Sequence, residues 1–323
     1  MDTKHRVLEI LEKNRGKSVS GEYIAGLLNL SRNMIWKAIK SLRDDGYVIE
    51  AVTNKGYRLT NENDILAAEG IKPFLASAHM ADNIKVHREL DSTNREAKAL
   101  AIAGAPHGSV IIAERQVSGR GRRDRDFFSP PGRGLYMSMI LNSDMLGFHH
   151  PTAITAFAAV CVCEAIEGIC DLKPAIKWVN DIFLNGRKIC GILTEVISDF
   201  ETRHIREIII GIGVNINTLD EDFPDSLQGL AGSLYPDGKA NITRNQLAAE
   251  IINRVFSAEK PGEAQIFERY RSRLFMLNTE VAIIKDGEKC AVKALDIDDS
   301  GHLLVKTQEG EILTLVSDEV KII

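Results

Sequence analysis

Gln116-Val-Ser-Gly-Arg-Gly-Arg-Arg-Asp-Arg-Asp126, running into Phe127-Phe128-Ser129-Pro130-Pro131-Gly132, is unlike any other stretch of this chain. Four arginines, Arg120, Arg122, Arg123 and Arg125, fall within six residues, and the glycines between them let backbone come close to a ligand. Clustered guanidinium groups repel one another until an anion arrives, so the spacing predicts a loop that orders around phosphate. A solvated basic loop, or a second patch for nucleic acid, is the competing reading of the arginines alone. The Phe127-Phe128 pair favours a lid, because it can fold over a ligand and exclude water.

On either side of this loop, strands alternate with helices. Ile84–Leu90, Ser109–Gln116, Leu135–Ile140, Ala175–Trp178, Asp181–Leu184, Lys188–Val196 and Ile205–Val214 read as strands. Thr93–Ala103, Pro151–Ile169, Arg244–Ser257 and Glu263–Leu274 read as helices, with Thr93 and Glu96 as a capping-box pair. Short hairpin-like links predict a mixed α+β sheet. Two further segments carry chemistry. In Lys177-Trp-Val-Asn-Asp-Ile182 a lysine, an amide and a carboxylate at a strand end suit a phosphate or carboxylate and a magnesium ion, although Asn-Asp and Asn185-Gly186 are also ordinary hairpin residues. Gly211-Ile-Gly-Val-Asn-Ile-Asn217 ends an apolar strand on glycines that a ligand can approach. It lacks the third glycine and the following helix of a dinucleotide fingerprint, and no Walker loop, zinc-ligand histidine pair or nucleophile elbow occurs. His149-His150 reads as a polar loop before a helix.

The net charge of −5 argues against nucleic acid as a partner, but it averages over an asymmetry. Residues 1–60 hold eleven basic against seven acidic residues, a balance of +4, which leaves 29 against 38, or −9, for the rest. Within this basic end, Thr3–Arg15 and Ser20–Leu28 have helical periodicity, and Ser31 caps a third helix. Ile35, Ala38, Ile39 and Leu42 form the inner stripe of that third helix, while Asn33, Lys37 and Lys40 point outward, flanked by Arg32 and Trp36. Gly46 ends it, and Tyr47–Val52 and Tyr57–Leu59 make a hairpin through Asn54-Lys55-Gly56. Three helices and a hairpin predict a winged helix-turn-helix whose third helix enters the major groove, with Lys55 and Arg58 on the wing at phosphates. Each exposed residue taken alone favours a solvated face; the order helix, helix-turn-helix and basic hairpin within sixty residues is what favours DNA binding.

The remaining composition sets limits. A chain of 323 residues is long enough for two or three domains. Five cysteines without a Cys-x-x-Cys argue against a disulfide framework or zinc site and for a reducing, cytoplasmic setting. No apolar run is expected to reach the roughly 18 residues of a membrane helix. The N-terminus has no apolar centre of a signal peptide, so secretion is not expected.

Asp91-Ser92-Thr93-Asn94, Gly119-Arg-Gly-Arg-Arg-Asp-Arg125, Lys177-Trp-Val-Asn-Asp181, Gly191-Ile-Leu-Thr-Glu195 and Gly211-Ile-Gly-Val-Asn215 occur in the order and approximate spacing of biotin protein ligases. With the N-terminal module, essentially the whole chain resembles the bifunctional biotin ligases that also act as biotin operon repressors. Two positions depart from the pattern common in the family: Asp124 where a glycine is frequent, and Val179 where a proline is frequent. Asp124 is expected to pair with a neighbouring arginine, and Val179 to remove a rigid turn. The resemblance implies three domains and a connector: a winged helix-turn-helix over 1–63, the connector over 64–80, and a mixed-sheet ligase domain of the class II synthetase and biotin–lipoate ligase kind over 81–275. A small SH3-like β-barrel over 276–323 would follow, with strands Glu280–Ile284, Lys289–Asp296, His302–Lys306 and Ile312–Val316 parted by Asp286-Gly287 and Ser300-Gly301. It also implies that biotin and ATP, with Mg2+, form biotinyl-5′-AMP, from which biotin passes to a lysine of the biotin carboxyl carrier protein of an acetyl-CoA or pyruvate carboxylase. Carried over by position, Ser92, Thr93, Asn94, Gln116, Gly119, Arg120, Arg122, Lys177, Ile182, Gly211 and Gly213 contact biotin or the adenylate. Arg122 and Lys177 carry catalysis, while Asn180, Asp181 and Asn215 support nucleotide and magnesium. Ser31, Arg32, Asn33, Trp36, Lys37, Lys40, Lys55 and Arg58 face operator DNA, which the adenylate-bound homodimer would repress. A regulator that only senses ligand, or a lipoate or octanoate ligase, are the alternatives.

Overall fold

The computed structural model describes residues 2–145, 147–148, 150–198, 205–257, 261–285, 288–316 and 320–322. It divides into two compact units, Met1–Val86 with Ile242–Asn253, and His87–Asn241 with Arg254–Ile323.

In the first unit, α1 (Thr3–Lys13), α2 (Gly21–Leu28) and α3 (Arg32–Asp44) are each capped by a side chain. Asp2, Ser20 and Ser31 accept from the backbone N–H of His5, Tyr23 and Met34, satisfying amides that a helix start leaves without a partner. Asn29 at φ +54° ends α2, so α3 starts three residues later, at Arg32, in a new direction. The apolar stripe predicted for α3 is buried: Ile35, Ile39 and Leu42 pack with Val7, Leu8, Leu11 and Ile24 into one core. Full burial of each such side chain stabilises by about 1.5–3 kcal/mol. β1 (Ile49–Val52) and β2 (Gly56–Leu59) form the wing, antiparallel with Val52 opposite Gly56. Gly56 lies at φ +100°, and a Cβ there would meet Val19 O at 2.2 Å. No other residue fits that turn.

The connector holds the short helix α4 (Ala68–Ile71) and two 3₁₀ turns, and is fastened by a helix from far along the chain. Arg244, almost fully buried, donates from Nε to Asp64 Oδ2 at 2.9 Å and from its backbone N–H to Asp64 Oδ1 at 2.7 Å. Asn245 accepts from Ala67 N and donates to Ile65 O, and Asn253 does the same with Ala76 N and Phe74 O.

The second unit is built on a sheet of order β3-β4-β5-β9-β8-β7-β6. Its strands are β3 (Ile84–His87), on which the chain passes from the first unit, β4 (Val110–Ala113), β5 (Gly134–Asn142), β6 (Ala175–Lys177), β7 (Asp181–Leu184), β8 (Arg187–Ser198) and β9 (Ile205–Asn215). The central pair β5 and β9 is antiparallel and sets Ser138 opposite Gly211. Helix α5 (Thr93–Ile102) lays Ala97 and Ala101 on Ile111, Ile140 and Ile209. Its N-cap is Ser92, with no capping side-chain bond, so the predicted Thr93–Glu96 capping box does not form: the Thr93 side chain is taken by Gln116 and Ser138 instead.

Helix α6 (Pro151–Cys170) corrects the expectation about apolar runs. Thr152–Cys170 is long and apolar enough to cross a membrane by length and composition, yet 72% of its apolar window is buried inside the protein. It is a core helix, and Cys161 and Cys163 are buried thiols on it; burial pushes the Cys161 thiol up to about 12, far from thiolate chemistry. After α7 (Arg244–Val255), α8 (Glu263–Arg271) packs on α6, where Glu164 and Glu167 receive Arg269 and Arg273. His150, the N-cap of α6, donates its backbone N–H to Glu263 Oε1 at 2.9 Å.

The C-terminal part is an antiparallel sheet of order β13-β12-β11-β10-β14. Its strands are β10 (Glu280–Lys285), β11 (Glu288–Ile297), β12 (Leu303–Lys306), β13 (Ile312–Leu315) and β14 (Val320–Ile322). The last is one more than the sequence shows. Trp178 Nε1, just after β6, donates to Gly301 O at 3.0 Å, and Arg271 Nε on α8 donates to Asp296 at 2.7 Å, tying this sheet to the larger one and to α8. The Asp296–Asp299 run is a turn in which Asp298 accepts from Ser300 N and His302 N. The predicted turn at Asp286-Gly287 and the histidine at 149 lie outside the described residues.

Candidate active site

A cavity of about 610 Å³ opens on one side of the larger sheet. Its wall brings together the start of α5 (Ser92, Thr93, Asn94), Gln116, the arginine loop (Arg120 to Phe127), the β6–β7 hairpin (Lys177, Asn180, Asp181), and Gly191, Gly211 and Gly213 on β8 and β9. These segments are far apart in sequence. The antiparallel register is what assembles them.

At the closed end, the glycines make room for side chains from opposite. A Cβ on Gly211 would fall 2.0 Å from Asn94 Oδ1, and one on Gly213 would fall 2.5 Å from the Phe127 ring. The two phenylalanines of the loop part company: Phe127 turns into the cavity against Gly213 and Tyr136, while Phe128 packs on Phe223 with centroids 6.0 Å apart. Gly119 does not line the cavity but lets the loop close, since a Cβ there would meet Phe127 O at 2.4 Å.

The loop folds on itself. Gly121 N–H donates to Arg125 O at 2.7 Å, and Arg120 pairs with Asp124 at 3.1 Å, as expected for this position. Arg123 and Asp124 both adopt left-handed backbone, φ +57° and +55°. Arg122 reaches across to Asn180 Oδ1 at 3.3 Å, and Asn180 Nδ2 is fixed on Ile192 O at 2.7 Å. Burial and the neighbouring Arg123 lower the pKa of Arg122, against the opposing pull of Asp181, yet a guanidinium stays protonated. Its charge is poorly solvated and suited to an anion.

On the hairpin, Lys177 faces Asp181 across the register, and Asp181 accepts an ion pair from Lys188 at 2.7 Å. The Trp178–Val179 peptide bond is cis, Val179 is buried, and its carbonyl accepts from Tyr270 Oη at 2.8 Å. Ile182 and Asn215, both expected at the ligand, do not line the cavity. Ile182 is fully buried, and Asn215 is buried with Nδ2 on Gly232 O at 3.0 Å.

Three contributors escaped the sequence reading. Lys188 follows the Asn185-Gly186 turn, and its place on the wall is legible only once the hairpin register is known. Ser138 sits mid-strand under the pocket with no motif around it. Lys321, on the unpredicted β14, joins the wall from the end of the chain.

In the first unit, Arg32, Asn33, Trp36, Lys37 and Lys40 are exposed along α3, with Ser31 as its cap. Lys40 Nζ lies 5.8 Å from the Trp36 ring centre. Lys55 is exposed at the wing tip, whereas Arg58 is paired with Glu50 of the neighbouring strand at 2.5 Å.

Comparison with known proteins fits this layout. Residues 86–215 match the biotin/lipoate A/B protein ligase family and residues 3–58 an HTH domain. The chain is 35% identical over 308 residues to the bifunctional ligase/repressor BirA of Bacillus spizizenii, covering 94% of each chain. It is 30% identical over 311 residues to BirA of Escherichia coli, covering 95% of this chain and 94% of that one. The biotin protein ligase of Aquifex aeolicus, solved with biotin and ATP, superposes with a TM-score of 0.62 at 26% identity, over 74% of this chain and 97% of that one. With a relative at 35% identity along nearly its full length, the chain belongs to the bifunctional biotin protein ligase and repressor family.

Proposed function

We propose that the cavity activates biotin with ATP to biotinyl-5′-AMP and pyrophosphate, and then passes biotin to a lysine of a biotin carboxyl carrier protein. The observation that carries this reading is one cavity whose wall joins buried, small or uncharged polar residues, Ser92, Thr93, Asn94 and Gly211, to six less buried cations, Arg120, Arg122, Arg123, Arg125, Lys177 and Lys188. A neutral ring with a carboxylate tail suits the first region, and a triphosphate the second. The biotin carboxylate attacks the α-phosphorus, and the pentavalent centre gathers negative charge that Arg122 and Lys177 neutralise. Asn180 steers Arg122 through its amide oxygen. In the second step the carrier's lysine amine attacks the mixed anhydride and AMP leaves, so the protein supplies positioning more than a nucleophile. Magnesium would enter with ATP; Asp181 offers it one carboxylate, in keeping with the sparse protein donor set this ion takes beside substrate phosphates, while Asn180 serves the nucleotide end through Arg122.

The same chain, loaded with adenylate, is proposed to dimerise and to bind a two-half-site operator through α3 and the wing, which couples ligand to DNA affinity. A cytoplasmic setting follows from carrier and operator alike.

Biotin-dependent ATP–pyrophosphate exchange tests the enzymatic reading. Exchange with biotin and little with lipoate is expected, and Lys177→Ala should lower the rate on the order of 100- to 1,000-fold, as removal of one oxyanion donor does elsewhere. Exchange with lipoate alone would select a lipoate ligase, and no exchange with either would leave a ligand sensor.

A further inference from the structure

The closed end of the cavity rests on a run of hydrogen bonds that starts at a carboxylate. Glu195 Oε2 accepts from Asn94 Nδ2 at 2.8 Å, and the same amide group donates to Leu193 O at 3.3 Å. Both hydrogens of Asn94 are thereby used, and its Oδ1 is left as an acceptor. Ser138 is fully buried and has a single hydrogen; its Oγ lies 2.6 Å from Asn94 Oδ1 and 2.8 Å from Thr93 Oγ1. Only donation satisfies Asn94, so Ser138 gives its hydrogen there and accepts from Thr93.

The other side of Thr93 is fixed in the same way. Ser129 Oγ donates to Phe127 O at 2.9 Å and accepts from Gln116 Nε2 at 2.9 Å. Gln116 therefore turns Oε1 toward Thr93, where it accepts the backbone N–H at 2.8 Å and lies 3.1 Å from Oγ1. With Ser138 the nearer acceptor at 2.8 Å and Gln116 Oε1 holding the backbone N–H, the hydroxyl hydrogen of Thr93 points into the protein. What Thr93 Oγ1 turns to the cavity is a lone pair.

We propose that Glu195 and Ser138 are positioning residues that set the hydrogen-bond polarity of this end of the site, holding Thr93 as an acceptor so that the ligand head must present an N–H. The inference rests on the biotin reading above and sharpens it into a specificity device. A cyclic urea carries two N–H groups. A dithiolane ring or an alkyl end carries none, and seating it leaves a buried acceptor without a partner.

The test is calorimetric titration with biotin alone, beside exchange kinetics, on wild type, Ser138→Ala, Glu195→Ala and Glu195→Gln. Ser138→Ala and Glu195→Ala are expected to weaken biotin roughly 10- to 100-fold, the scale of one mismatched buried polar group. The KM for ATP should stay within about threefold, and the preference for biotin over lipoate should narrow. Glu195→Gln retains an oxygen that accepts from Asn94 and should keep most of the affinity. Unchanged biotin affinity in both alanine variants, or equal losses toward biotin and ATP, would overturn the inference. Wild type that binds no biotin would overturn the functional reading with it, whereas normal wild-type binding with unaffected variants would overturn the inference alone.

Discussion

Asp124 shows how one residue reconciles two demands. It sits at φ +55° directly after Arg123 at φ +57°, where a side chain costs roughly 1–2 kcal/mol and Asp is among the few residues that visit the region routinely. A glycine would relieve that cost but add about 0.5–1 kcal/mol of chain entropy and lose the exposed Arg120 pair, worth no more than about 1 kcal/mol. These contributions nearly cancel, so Asp124→Gly should shift the melting temperature by less than about 3 °C, while Asp124→Val, β-branched, should open the loop and hasten cleavage there by an arginine-specific protease. Equal protease sensitivity of the two variants would remove the backbone argument. Gly211→Ala is a sharper case: its methyl would stand 2.0 Å from Asn94 Oδ1, so calorimetry should register severe loss of biotin binding with the fold retained by circular dichroism. At this scale the sequence is readable where chemistry is concentrated, as in the arginine loop and Lys177. It is silent at Ser138, because a serine in an apolar strand announces neither its burial nor its neighbours.

Helix and strand boundaries followed from periodicity and caps to within a few residues, since Ser20, Ser31, Asn29 and Gly56 mark their turns by local chemistry. Thr93 and Glu96 misled because a threonine hydroxyl can serve only one network, and tertiary partners took it. Nor does the sequence reveal the bond between α7 and the connector, which joins residues 180 positions apart. Arg244→Ala keeps the backbone N–H on Asp64 but removes the guanidinium from this part-exposed carboxylate, and should destabilise the first unit by roughly 1.5–3 kcal/mol, the scale of hydrogen bonds to charged groups; urea unfolding measures it, and a change under about 0.5 kcal/mol would mean the clamp is incidental. In the 298–302 turn, burial raises the Asp298 pKa, but hydrogen bonds from the amides of His302 and Ser300 outweigh it and bring it below its ordinary 3.8. A lowered carboxyl pKa contributes stability above 3.8 that is lost as pH falls through the folded value. Asp298→Asn should therefore be less stable than wild type at neutral pH and converge with it below about pH 3, read by melting curves. On α3, Lys37→Ala should weaken DNA binding across sequences and reduce the salt slope by about one; an unchanged slope would assign Lys37 to solvent.

For the molecule as a whole, the charge of −5 conceals two cationic regions with different tasks, the +4 of residues 1–60 and the arginine loop. If adenylate retention drives dimerisation, operator affinity should rise with biotin and ATP together and sedimentation should show the dimer under the same conditions; equal DNA affinity with and without them would separate the two activities. The first unit is also discontinuous, since Ile242–Asn253 completes it. On the ribosome, the three helices and the wing emerge early, but the side chains that fasten the connector appear only after residues 87–241 have been made, roughly 10–30 s later at ordinary synthesis rates. Nascent chains shorter than this therefore carry a formed DNA-reading module on an unfastened connector, and a chain cut at the end of the wing is a fragment of a folding unit.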